Sequence, residues 1–229
     1  MSVSSQRLQA IDALRGLVIL IMMVDHVRET FYLHHQVPDP MLVPGTEESL
    51  FLSRILAHLC APVFVLLTGL SAYLYQAKNN LAMTREFLLK RGLFLIFLEL
   101  IVINFAWTGT FPPDVVYLQV IWAIGISMLA LAALIGLPRK LLWFISLLII
   151  FGHNLLDHLS LENVPILHNL WLILHERGWI IFGDIIRFRT SYPVLPWIGI
   201  ITLGYCIGTT VFHQSKTMRQ KNQILLNFG

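Results

Sequence analysis

Four ionisable residues, Asp12, Arg15, Asp25 and His26, lie inside one apolar segment, IDALRGLVILIMMVDHVRETF, at residues 11–31. Such groups cost roughly 2.5–3.5 kcal/mol each at the centre of an inserted helix on insertion scales, so they mark working sites more often than passive spans. Arg15 and His26 are 11 positions apart. On a helix that is three turns plus about 20°, which puts both on one face with a rise of roughly 16 Å, about half the hydrocarbon thickness. Asp12, Arg15, Ile19, Met22 and His26 form one stripe. A neutral imidazole can take or give a proton near pH 7, or attack an acyl carbon. A guanidinium holds a phosphate bidentately, and Asp12 is placed to pair with it at i,i+3. Each has a bland reading too: a histidine packed between helices, and an arginine snorkelling to the interface. Asp25 and Glu29, beside His26, favour the functional reading.

Other polar residues interrupt apolar stretches further on. His153, Asn154 and Asp157 stand in FGHNLLD. His153 and Asp157 are i,i+4, a spacing from which the aspartate can fix the tautomer of the histidine; a polar helix end at the outer surface is the equal alternative. Glu99 is isolated in LFLIFLELIVINFAW and needs a partner, while Asn104, at i+5, is expected off its face. Gln119 and His58 read as packing hydrogen bonds. His34 and His35 follow the first apolar segment, without further ligands at the spacing a zinc site requires. No metal is expected. Cys60 and Cys206 lie in apolar stretches and give no disulfide framework.

The composition says what must position these groups. Of 229 residues, 56% are hydrophobic and 13% charged, about half the charge of a soluble domain. The chain is predicted to be an all-α membrane protein, a polytopic helix bundle. The net charge of +3 and pI near 9.0 do not point to nucleic acid, because the cations collect at span ends. Six apolar stretches are long enough to span, near 13–33, 54–75, 92–107, 116–136, 141–157 and 193–212. Arg7, then Lys78, Arg85, Lys90 and Arg91, then Arg139 and Lys140, then Lys216, Arg219 and Lys221 all fall on one side of that arrangement. The positive-inside rule makes that side cytoplasmic, with the N-terminus inside. Segments 34–53, 108–115 and 158–192 then face outward. Residues 168–188, HNLWLILHERGWIIFGDIIRF, are too charged to span, and Trp171 and Trp179 suit an interfacial or re-entrant segment. Gly204 and Gly208 make a small-xxx-small helix contact. The N-terminus lacks a signal-cleavage pattern, and NQILLNFG opens a new apolar run at the C-terminus. Residues 1–229 are thus expected to be one transmembrane domain, the N-terminal part of a longer protein.

These blocks resemble a known family. RLQAIDALRGLVILIMMVDHV, HLCAPVFVLLTGLSAYLY, FLLKRGLFLIFLELIVINFAW, FGHNLLD and YPVLPWIGIITLGYCIG are similar, in order and over nearly the whole chain, to the heparan-α-glucosaminide N-acetyltransferase-like family of bacterial membrane proteins. The arginine, ten residues, then histidine also resembles the first-helix motif of the wider membrane acyltransferase group. The resemblance implies acetyl transfer from cytosolic acetyl-CoA to a sugar or glycan on the far side of a bacterial inner membrane. It maps the essential histidine to His26, with Asp25 beside it, and donor binding to Arg15 and Asp12. In the lysosomal enzyme the acetyl-linked histidine follows the first span, where the nearest residues here are His34 and His35. Glu99, His153, Asn154 and Asp157 are expected to line or support the cavity. The competing function is a transporter or proton-coupled channel using the same charges, although no repeated halves are visible. The partners implied are acetyl-CoA, the acceptor glycan and the bilayer, with self-association left open.

Overall fold

The computed structural model describes residues 9–31, 47–159, 161, 164–182 and 186–212. Helix dominates, as the apolar periodicity predicts. In chain order come α1 (Gln9–Phe31), α2 (Glu48–His58), α3 (Cys60–Gln76), α4 (Leu81–Phe97), a π-helical segment (Leu98–Ile103), α5 (Asn104–Thr108), β1 (Val115–Leu118), α6 (Val120–Leu134), α7 (Arg139–Gly152), a 3-10 turn (His153–Leu156), α8 (Pro165–Leu174), β2 (Gly178–Phe182), β3 (Ile186–Thr190) and α9 (Leu195–Val211). Among the described residues two helical runs are long and apolar enough to cross a membrane, Glu48–Gln76 and Arg139–Leu156, with shorter apolar helices at Val120–Leu134 and Leu195–Val211. The chain divides into two compact units, Met1–Leu67 and Thr68–Gly229.

In the first unit α1 packs on α2. Its inward stripe is Ile11, Arg15, Val18, Met22 and Asp25, the i,i+3/i+4 spacing of one helical face. The Cys60 thiol donates to the Val18 carbonyl at 3.6 Å. Leu17, Leu20, Met23 and Val24 on the rest of α1 are more than half exposed, a surface that suits lipid better than water.

In the second unit α4 pairs with α6 and α7 with α9. Glycine sets the closeness of the first pair: a Cβ on Gly92 would stand 2.8 Å from the Gly125 carbonyl oxygen. On α9 a Cβ at Gly208 would stand 2.8 Å from Cβ of Tyr73, so the expected small-residue contact falls between α9 and α3. Asn80 caps α4, accepting from the Met83 amide at 2.8 Å. Gly109, at φ 67, ends α5 in the left-handed conformation that glycine adopts freely. Pro196, in the first turn, starts α9.

The all-α expectation is corrected by a three-stranded sheet of order β1-β3-β2. β1 runs parallel to β3, Val115 opposite Arg187 and Leu118 opposite Thr190. β2 and β3 are antiparallel, Gly178 opposite Thr190 and Phe182 opposite Ile186. The apolar run assigned to a span from 116 therefore begins as a strand, and the 168–188 segment is a helix followed by strands. Both changes have one cause. Strands β1 and β3 satisfy each other's backbone groups, and an open sheet of this kind is stable only outside the hydrocarbon.

Candidate functional site

The α1 charges come first. Asp12 and Arg15 form the expected i,i+3 pair, Oδ1 to Nη1 at 3.5 Å, and the Arg15 side chain remains 36% exposed. Asp25 is the most buried of the four, at 8%, and it accepts from Arg54 Nη1 at 2.9 Å. Arg54 was not singled out in the sequence. It lies 29 positions from Asp25, and only the packing of α2 on α1 brings the charges together. His26 is one position, about 100°, past Asp25 and is exposed. The unbroken helix keeps Arg15 and His26 three turns apart, with Asp25 rather than His26 in the packed stripe. His34 and His35 lie outside the described residues.

Glu99 lies in the π segment and is 1% exposed. Its Oε2 accepts from the Trp122 amide at 3.2 Å, and the backbone of Ile121 and Gln119 also bonds to it. These are first-turn amides of α6, which the helix would otherwise leave open. No hydrogen-bond partner meets Oε1 among the described residues. Asn104, expected off the face of Glu99, meets its backbone carbonyl, while the carboxylate turns to α6. In a π turn, residue i+5 closes on residue i, and Asn104 Nδ2 donates to the Glu99 carbonyl at 2.7 Å. The same amide group donates to the Tyr117 carbonyl at 3.1 Å, and Oδ1 accepts from the Tyr117 amide at 2.6 Å. Asn104 thus pins the π segment to β1.

The third cluster closes the end of α7. Asp157 does orient a histidine, but it is His175, whose Nε2 lies 2.8 Å from Asp157 Oδ1. His153 instead turns Nδ1 to the Ile149 and Ile150 carbonyls at 3.0 Å each. The reason is local. Residues 153–156 tighten to a 3-10 turn, where an i,i+4 pair is displaced by about 120°. Asn154 is exposed, and its carbonyl accepts from the Asp157 amide at 3.2 Å. The His175 side chain is 3% exposed, and its Nδ1, like that of His168, is buried with no partner among the described residues. Trp171 lies against His175, centroids 4.8 Å apart, and donates to Glu176 Oε1 at 2.9 Å. His168, Trp171 and His175 recur at i, i+3 and i+7, a helical stripe in the sequence that passed unused. Among the described residues no group of three His, Cys, Asp or Glu is placed to hold a metal ion.

A mostly helical chain with apolar spans, buried ionisable groups and a small sheet outside them defines a membrane-embedded helical protein. Residues 7–227 match the family described as heparan-alpha-glucosaminide N-acetyltransferase, catalytic, and the chain belongs to that family. Its activity is N-acetyltransferase-like, a transferase function, and this favours the enzyme over the transporter. No curated protein and no solved structure matches the chain.

Proposed function

We propose that the protein moves an acetyl group from cytosolic acetyl-CoA to an extracytoplasmic sugar or glycan, within a bacterial inner membrane. The observation that carries this reading is the unbroken α1 of a family member. It holds a partly exposed Arg15 three turns from His26, with an ion pair, Asp25–Arg54, beside the histidine. Arg15, partly exposed on α1, is of the residue type that holds a phosphate bidentately, and it would take a CoA phosphate. His26 then serves as base toward the acceptor or as carrier of the acetyl group.

The protein would have about six spans with its N-terminus inside, and the second unit, taken by itself, agrees with the basic-loop alternation. Arg85 Nε donates to the Ala132 carbonyl at 3.2 Å, so the start of α4 and the end of α6 meet. Lys78, Arg85, Arg139 and Lys140 therefore gather at one end, as the basic-loop alternation requires. The expected outward segments 108–115 and 158–192 supply or flank the strands of one sheet.

The test is a set of three variants, His26→Ala, His34→Ala and His35→Ala, matched for expression and assayed for acetyl transfer to one amino sugar. His26→Ala should abolish transfer and leave CoA binding intact. An active His26→Ala beside an inactive loop variant would move the chemistry to His34 or His35.

A further inference from the structure

If donor and acceptor lie on opposite faces, the reaction leaves a proton on the wrong side. The thioester C–S bond breaks and its electron pair stays on sulfur, while a new C–N or C–O bond forms at the acceptor. The acceptor N–H or O–H loses a proton at the outer face. The CoA thiolate gains one at the inner face. Either bulk water on the two sides supplies and takes these protons, or a group inside the bundle passes one inward.

Two carboxylates are buried among the described residues, Asp25 and Glu99. Asp25 is neutralised by Arg54. Glu99 has no cation within ion-pair reach among the described residues and is held by backbone amides alone. Its two oxygens are unlike. Oε2 is bonded to the α6 terminus, and Oε1 is buried with no hydrogen-bond partner among the described residues. A proton can therefore be added to or removed from Oε1 without breaking the bonds at Oε2. Glu99 lies nine residues before the end of α5, roughly 14 Å from the sheet end of the helix, with the longer part of the helix reaching toward the basic end. The π turn around it is of a kind found frequently at functional sites. We propose, on the footing of the acetyl-transfer reading above, that Glu99 carries the acceptor's proton inward at Oε1 to the CoA thiolate. It is a proton-carrying residue, distinct from the group that attacks the acetyl carbon.

The competing role is structural, a carboxylate that only caps α6. Purified full-length protein in liposomes separates the two. Glucosamine is trapped inside as acceptor, and acetyl-CoA, which does not cross the bilayer, is added outside with a pH-sensitive dye. The dye reads the donor side. With an internal carrier, wild-type transfer consumes no donor-side proton. One proton taken up per acetyl moved by the wild type overturns the proposal without any variant. Glu99→Gln keeps an oxygen for the Trp122 amide but carries no proton. It should lower the transfer rate at least tenfold with CoA binding unchanged, and the remaining transfer should take up a donor-side proton. Glu99→Asp should recover part of the rate and the wild-type stoichiometry. A folded Glu99→Gln protein with wild-type rate and stoichiometry reduces Glu99 to a cap and overturns the proposal. Wild type that moves no acetyl to the trapped amine strikes the acetyl-transfer reading itself.

Discussion

Asn104→Ala offers the sharpest test of how the second unit is held. Asn104 is fully buried, and its side chain joins the Glu99 carbonyl, the Tyr117 carbonyl and the Tyr117 amide. Each hydrogen bond is worth about 1 kcal/mol net, and each buried group left unpaired costs about 1–3 kcal/mol. The Glu99 carbonyl is the most enclosed of the three. Tyr117 is half-buried and recovers part of its loss from water. Alanine is the better helix former by up to about 0.7 kcal/mol, which offsets a little. The sum is a destabilisation of about 3 kcal/mol. For a chain of this size that lowers the melting temperature by roughly 6–12 °C. Thermal unfolding in detergent, followed by tryptophan fluorescence, reads the change. Asn154→Ala is the control, because Asn154 is exposed and a surface change of that kind stays within about 0.5 kcal/mol. Asn104→Ala melting within about 2 °C of wild type would refute the idea that this one amide fastens the π segment to β1.

Arg15→Ala should weaken CoA binding to the purified protein while the fold, read by circular dichroism, is unchanged. A double-mutant cycle on Asp25→Asn and Arg54→Gln should give a coupling of about 1–3 kcal/mol, as for other partly buried contacts; additive single effects would show that the pair does not form. Gly16→Ala should be tolerated and raise stability by up to about 1 kcal/mol, since a Cβ there meets nothing within 4 Å. Gly125→Ala should lower the melting temperature, since the same addition meets Ile96 at 2.8 Å and the Gly92 carbonyl at 2.9 Å.

The helices were legible because their apolar periodicity is long and their ends carry ordinary signals: Asn80 before α4, Pro196 in the first turn of α9, Gly109 after α5. The sheet was not. VVYLQVIW reads equally as strand or buried helix, since short apolar runs do not reveal their period. Only the pairing of Val115 through Leu118 with β3, some 70 residues later, decides it. The β2–β3 region did carry a usable sign, two β-branched runs around Gly183 and Asp184, but its tryptophans and charges suggested an interface instead. The site was legible as a list of residues and not as a set of partners. Helical arithmetic at 3.6 residues per turn paired His153 with Asp157 and set Asn104 apart from Glu99. The chain leaves that period at both places, tightening to a 3-10 turn in one and widening to a π turn in the other.

Three acids in this chain are stabilised in three ways, and the differences bear on chemistry. Asp25 faces the Arg54 guanidinium in an ion pair at 2.9 Å and can orient a neighbour. Asp157 faces the His175 imidazole, whose Nε2 lies 2.8 Å from its Oδ1. Glu99, among the described residues, faces the amide dipoles of a helix start, which hold the carboxyl in place without an ion pair. A bundle that must keep one acid fixed and leave another free to take and release a proton needs this kind of separation. Removing charge while keeping shape should therefore act unequally. Asp25→Asn strands the Arg54 guanidinium and should cost stability first. Glu99→Gln keeps an oxygen acceptor for the Trp122 amide and should cost turnover first. Equal losses of melting temperature in the two variants would mean that the amides of α6 need the charge of Glu99 as much as Arg54 needs that of Asp25, and that Glu99 is a cap.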